Sequence, residues 1–266
     1  MSPPPRPDPA AGPVWITGAS SGIGRAVAEQ LRDRGCTVAV TARDADALAE
    51  LAATPGRNGG RIVAYPGDVT DAGRMADIVA AIEDELGPLA LAILNAGVYI
   101  PVAADAPLTV APFETTFAVN LNGTVNALVP VLNLMRPRRR GHIVIVASVA
   151  GYAGLPTSAA YGATKAGLIN LAESLKFDLD NLGIRIQLVC PGFVDTPATK
   201  NNPFPMPHLM QVDDAAAALV EGLASDAFEI TFPRRFTRQL KLLRMLPYGL
   251  YFRLVARSTG WDKRGR

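Results

Sequence analysis

TGASSGIG, residues Thr17 to Gly24, follows the apolar run Val14 to Thr17 and leads straight into Gly22 to Arg34, whose apolar residues have helical spacing. The stretch therefore reads as strand, turn, helix. Three glycines stand in the turn: Gly18, Gly22 and Gly24. Such a turn lets backbone approach an anion where a Cβ would obstruct it. The helix that follows offers unpaired N–H groups and the positive end of its dipole. In this setting the turn predicts a pyrophosphate cradle rather than an ordinary glycine-rich loop.

The same alternation continues outward from the turn. Strands are predicted at Thr37 to Thr41, Arg61 to Tyr65, Leu89 to Leu94, His142 to Ala147, Ile184 to Cys190 and Ala227 to Thr231. Helices are predicted at about Asp44 to Ala53, Asp71 to Leu86, Pro112 to Leu134, Ala159 to Leu182 and Asp213 to Ala224. The fourth of these strands, Leu89 to Leu94, is apolar throughout, as expected when both faces of a sheet are covered. Repeated β-α-β units with right-handed crossovers give an α/β fold, a doubly wound parallel sheet of Rossmann type. One domain over residues 13–232 is expected, preceded by a disordered Pro-rich tail (1–12) and followed by a basic amphipathic extension (233–266). Two loops, Val98 to Ala111 and Phe193 to Met210, follow strand ends, where ligands gather in such sheets.

Composition narrows the function classes. The chain has 266 residues, 49% of them hydrophobic, and a formal net charge of only +2. A chain-wide basic footprint for nucleic acid is absent. Two cysteines (Cys36 and Cys190) and two histidines (His142 and His208) provide neither a disulfide framework nor a zinc-ligand spacing, so no metal is expected. No uninterrupted apolar run approaches the ~20 residues of a spanning helix. The N-terminal MSPPPRPDPAAGP lacks the apolar core of a signal peptide, so a cytoplasmic location is expected.

Further motifs stand in a fixed order behind the turn. They are Asp68-Val69, LNAG at Leu94 to Gly97, Asn120, Ser148, YGATK at Tyr161 to Lys165, and PGFVDT at Pro191 to Thr196. With the TGxxxGxG spacing, this set resembles the short-chain dehydrogenase/reductase family from about Val14 to Thr231. The resemblance implies an oxidoreductase that moves a hydride between a nicotinamide cofactor and an alcohol or carbonyl group. It assigns catalysis to Asn120, Ser148, Tyr161 and Lys165. It assigns the cofactor to Thr17, Gly18, Ser20, Ser21, Gly22, Ile23 and Gly24 in the turn. Asp68 and Val69 would border the adenine, and Asn95, with Ala96 and Gly97, would hold the adenosine side. Pro191, Gly192, Val194 and Thr196 would lie along the nicotinamide, with Tyr161 and Lys165 also touching the cofactor. Leu94 stands where many members have a first Asn. By analogy, members pair through two long helices, so a homodimer or homotetramer is expected.

The residue after strand two separates the two cofactors. NAD-using folds place an acid there for the ribose hydroxyl. This chain has Ala42, then Arg43, whose guanidinium suits a 2′-phosphate. NADP(H) is therefore preferred, with NAD(H) as the second option. Asp44 reads as a helix cap.

Reducing a carbonyl also needs a proton on oxygen. Tyr161 would supply it, although an ordinary phenol has a pKa of about 10. Lys165 lies four residues on and shares the helix face. A charge about 4 Å away at an effective dielectric of ~20 favours phenolate by roughly 4 kcal/mol. That predicts a Tyr161 pKa lowered by roughly three. Ser148 would hold the substrate oxygen. By resemblance, Asn120 would anchor a water leading from Lys165 to solvent. Tyr99 and Tyr152 are neighbouring aromatics, more suited to packing than to lining a pocket.

Arg234 to Arg266 holds ten Lys/Arg and one acid, Asp262. Phe236, Leu240 and Leu243 share a helical face, Arg234, Arg238, Lys241 and Arg244 another, and Pro247-Tyr248-Gly249 should break the helix. The segment reads either as a cover or subunit contact, or as a peripheral contact with an anionic membrane. Apolar residues in both loops hint at an apolar, lipid-like or steroid-like substrate. The alternatives to a carbonyl reductase are a nucleotide-sugar epimerase or dehydratase and a catalytically weak NADP-binding sensor or scaffold. The TGxxxGxG spacing and the short C-terminal part speak against the first of these.

Overall fold

A computed structural model describes residues 11–104, 107–200 and 205–263. Most of the Pro-rich tail, part of each long loop and the last three residues lie outside the described residues. Seven strands, β1 (Val14–Thr17), β2 (Thr37–Thr41), β3 (Arg61–Ala64), β4 (Leu91–Leu94), β5 (Gly141–Val146), β6 (Ile184–Pro191) and β7 (Glu229–Phe232), form one sheet. All pairings are parallel, in the order β3-β2-β1-β4-β5-β6-β7. The helices are α1 (Gly22–Asp33), α2 (Ala45–Ala53), α3 (Ala72–Leu86), α4 (Ala111–Phe117), α5 (Gly123–Arg138), α6 (Ala159–Asn181), α7 (Val212–Leu223), α8 (Arg234–Arg244) and α9 (Tyr248–Thr259). The predicted doubly wound sheet is thus present, with boundaries moved by one or two residues, except that the long helix expected to end near Leu134 continues to Arg138.

Alternation within each strand explains the layers. In β1, Val14 and Ile16 face a core shared with α1, α2 and α7, whereas Trp15 faces α3, α5 and α6. In β4, Leu91 and Ile93 repeat the first direction and Ala92 and Leu94 the second. A strand that must serve two cores has no polar face to show, which is why the β4 run, Leu91 to Leu94, is apolar throughout. The Trp15 indole N–H still finds a partner, Thr41 Oγ1 at 2.9 Å.

One predicted element divides. The long helix expected from Pro112 is α4, then a π-helical turn at Ala118–Asn122, then α5. The Gly123 N–H reaches back to the Ala118 carbonyl, five residues away. The extra residue per turn rotates Asn120 inward, where it is fully buried. The run 111–138 is long and apolar enough to cross a membrane by length and composition alone. Its inner face nevertheless packs on the sheet, beside α3 and α6, as a core helix does.

β1 and β4 are sequence-distant neighbours from which the chain winds in opposite directions. Their carboxyl ends form the switch point at which such sheets open a crevice. Both long loops fold over this end. Val102 bridges to Ser158, and Val194 to Met210.

Candidate active site

The glycine turn is built as its sequence requires. Gly18 and Gly22 have φ of +69° and +56°, where glycine is at ease. The Gly18 N–H donates to the Thr41 carbonyl at 2.7 Å. A Cβ on Gly24 would stand 2.4 Å from the Gly18 carbonyl oxygen. Ser21 caps α1 without a side-chain bond. The hydroxyl of Ser21 and the first-turn amides are therefore left to face the cavity.

Thr17 and Asn95 weld the two strand ends together. Thr17 Oγ1 accepts from the backbone N–H groups of Asn95 (3.0 Å) and Ala96 (3.1 Å). Asn95 Nδ2 donates to the carbonyls of Thr17 and Gly18, both at 3.1 Å. Its amide donors thus serve the turn itself. Asn95→Ala leaves those carbonyls unpaired, at about 1–3 kcal/mol. The expected result is a Tm lower by roughly 2–12 °C, measured by differential scanning calorimetry; an unchanged Tm contradicts the weld.

At the far end of the crevice Arg43 is exposed, and among the described residues it has no ion pair. Asp44 is occupied as the α2 cap, accepting from the Ala47 N–H at 2.9 Å. Asp68 accepts from the Thr70 N–H at 2.9 Å, a turn of its own, while still lining the cavity beside Val69.

The other end holds the residues expected to be catalytic. Ser148 follows β5, and its Oγ accepts from the Ala150 N–H at 3.1 Å. Tyr161 and Lys165 lie in the opening turns of α6, as their spacing predicted. Lys165 Nζ donates to the Val146 carbonyl at 2.8 Å and sits 5.5 Å from the Tyr161 ring centre. Tyr99 meets the Tyr161 ring edge-on at 5.2 Å. Asn120 stands behind Lys165. Its Oδ1 accepts from the Val98 N–H at 2.7 Å, and its Nδ2 donates to the Val98 carbonyl at 2.9 Å and to Thr164 Oγ1 at 3.2 Å.

The expected lowering of the Tyr161 pKa is corrected here. Burial pushes the phenol up to about 12, with the Ser148 hydrogen bond pulling the other way. Burial likewise lowers Lys165 to about 8. Lys165 is 3% exposed and among the described residues has no carboxylate partner, so desolvation weakens the very charge that was expected to act.

One cavity of about 540 Å³ runs between the two ends. Ser20, Ser21, Gly22, Ile23, Arg43, Asp68, Val69, Ala96, Gly97, Ser148, Tyr161, Lys165, Pro191, Gly192, Val194 and Thr196 line it, with Gly18 and Asn95. Thr17, Gly24 and Asn120 stand just behind its wall. Tyr99 does line it, whereas Tyr152 packs away from it and donates to Glu229. Sequence reasoning missed Val149, Leu155, Ser158, Phe193 and Thr199 in the wall. Phe193 stands inside the PGFVDT motif and Thr199 in the second long loop, but neither a motif nor a loop position marks Val149, Leu155 and Ser158. Among the described residues no cluster could hold a metal ion.

A parallel sheet with a glycine cradle at its switch point, and a Ser, Tyr and Lys beside it, defines a dinucleotide-binding oxidoreductase fold. The family model described as short chain dehydrogenase matches residues 13–204. The chain belongs to that family of NAD(P)(H)-using oxidoreductases. It is 36% identical over 239 residues to an uncharacterized oxidoreductase of Myxococcus xanthus, covering 89% of this chain and 93% of that one. It is 36% identical to the 2,3-dihydro-2,3-dihydroxybenzoate dehydrogenase of Bacillus subtilis, covering 69% of this chain and 70% of the relative. The crystal structure of levodione reductase superposes with a TM-score of 0.75 at 24% identity, covering 85% of this chain and 97% of that one.

Proposed function

We propose that the chain is an NADP(H)-linked carbonyl reductase that interconverts a ketone or aldehyde with an alcohol, with an apolar substrate favoured. The observation that carries this reading is one cavity with an unpaired arginine at one end and Ser148, Tyr161 and Lys165 at the other. The Cβ-free turn and the open α1 amides fit a pyrophosphate, and Arg43, with Ala42 in place of an acid, fits a ribose phosphate. Bound there, NADP(H) would supply or accept the hydride.

The chain's own residues handle the proton. Ser148 Oγ holds the substrate oxygen near Tyr161 Oη. Tyr161 is protonated at neutral pH and donates to that oxygen as carbonyl becomes alcohol. The phenolate left behind is stabilised by the Lys165 ammonium. Asn120 positions Lys165 through the hydroxyl of its neighbour Thr164, and Asn95 acts on the cofactor indirectly by shaping the turn. Tyr99, Leu155 and Phe193 exclude water and favour an apolar substituent.

This assignment gives a pH prediction. Lys165 is charged below about 8 and neutral above it. The kcat/KM for ketone reduction at saturating NADPH should therefore fall as pH rises through about 8. A profile flat to the onset of denaturation contradicts the role of Lys165. The reading as a whole is tested by screening ketones and alcohols with both cofactors. NADPH binding without turnover across the panel would favour a sensor instead.

Self-association is proposed through the long helices. Phe117, Val129 and Phe177 are exposed on α4, α5 and α6, which suits a second copy. Phe177→Asp is expected to shift the molar mass by light scattering toward the monomer; an unchanged mass contradicts this face.

A further inference from the structure

The basic extension does two things at once. Its inner face is a cover: Phe236, Thr237, Tyr251 and Val255 are buried. Phe236 packs on Phe193 at 5.5 Å, and the Tyr251 hydroxyl donates to the Gly154 carbonyl at 2.7 Å. Phe193 and Leu155, the neighbour of Gly154, line the substrate end of the cavity. The extension therefore backs this part of the cavity wall.

Its outer face has no cover among the described residues. On α8 and its cap, Arg235, Arg238, Leu242 and the cap residue Met245 follow one another at spacings of three or four, so they share one exposed stripe. On α9, Leu250, Arg253, Leu254 and Arg257 form a second. Of the twelve exposed large hydrophobic residues among the described residues, six fall between Leu242 and Leu254, Met245 being 80% exposed. The apolar exposure is thus concentrated here rather than scattered. Arg234 to Lys263 carries eight Lys/Arg and one acid, Asp262. Lys241 pairs with Glu229; the six arginines of α8 and α9 have no ion pair among the described residues.

We infer that the outer face of α8 and α9 docks on a bilayer with anionic headgroups and sets the substrate end of the cavity beside the lipid surface. Leucine and methionine would enter the headgroup boundary while the arginines pair with lipid phosphate. A second copy on the same face is the poorer occupant, because a two-fold contact would bring two sets of unpaired arginines together. The inference rests on the proposed use of an apolar substrate, since entry from lipid serves only such a molecule.

The test is sedimentation of the full chain, with NADPH bound, with two kinds of vesicle. It should sediment with an equimolar mixture of phosphatidylcholine and phosphatidylglycerol, stay in solution with phosphatidylcholine alone, and be released by raised salt. Arg238→Ala with Arg253→Ala should weaken partitioning by about 30-fold, at about 1 kcal/mol per basic residue. The turnover of a short water-soluble ketone should be unchanged in this variant. Failure to sediment with anionic vesicles, or equal partitioning by the variant, overturns the inference. So does a dimer that Leu242→Ser with Met245→Ser dissociates without any vesicle binding. Lost vesicle binding with ketone turnover intact sinks the docking face and leaves the proposed reaction standing; vesicle binding without turnover of any ketone does the reverse.

Discussion

Tyr161→Phe is expected to lower kcat for ketone reduction by about 10²–10⁴-fold while leaving NADPH affinity within a few-fold of the parent. The substitution removes one oxygen and keeps the ring. The ring contact with Tyr99 at 5.2 Å therefore survives, and so does the packing of α6. What is lost is the proton donor beside Ser148. Burial makes that donor's state definite: with a pKa of about 12 the phenol is protonated across the neutral range. In the proposed reaction it would act as an acid toward a carbonyl without first having to gain a proton. The reverse reaction needs the phenolate, so alcohol oxidation should quicken as pH rises toward 12. Stopped-flow NADPH oxidation, with fluorescence titration for binding, separates the two properties. A variant with full turnover removes Tyr161 from the chemistry. A variant that loses binding and turnover together makes the residue a structural one.

Arg43→Ala should weaken NADPH by roughly 10- to 100-fold, which corresponds to the ~1.5–3 kcal/mol of hydrogen bonds to a charged group. NADH should change by less than a few-fold. The asymmetry follows from position. Arg43 is exposed, has no ion pair among the described residues and stands where Asp44 is already committed to capping α2. Removing it therefore breaks no ion pair or hydrogen bond among the described residues, and the fold should keep its Tm. Only a ligand with a phosphate on the adenosine ribose would notice the loss. Isothermal titration with both cofactors measures the difference. Equal weakening of the two would show that Arg43 serves a group they share, and the NADP(H) preference would fall.

The reach of the sequence can be judged element by element. The turn at Gly18, Gly22 and Gly24 was legible because its demands are local: positive φ and the absence of a Cβ. The strands were legible because a sheet covered on both faces must be apolar at successive positions, and β1, β2 and β4 are. Tyr161 and Lys165 could be placed on one face from helical spacing alone. The π-helical turn around Asn120 was not legible, because its partner is Val98, on a loop 22 residues earlier. The Tyr161 pKa was misjudged for a related reason. The charge of Lys165 is written in the sequence, but the burial that lowers it to about 8 belongs to the packed fold. The cavity wall at Leu155 and Phe193 likewise exists only once two loops meet over the sheet edge. The extension gave two readings from its sequence. The structure divides it into an inner face that covers and an outer face that does not.

The account depends on a carbonyl carbon receiving hydrogen in this cavity while Tyr161 supplies the proton to oxygen. Single-turnover reduction of an apolar ketone with NADPH deuterated at C4, followed by mass spectrometry of the alcohol, tests this directly. The predicted result is deuterium on the carbinol carbon with the parent chain, and the same label formed about 10²–10⁴-fold more slowly with Tyr161→Phe. Tight NADPH binding with no labelled alcohol from any ketone, or equal labelling rates in the two chains, would contradict it.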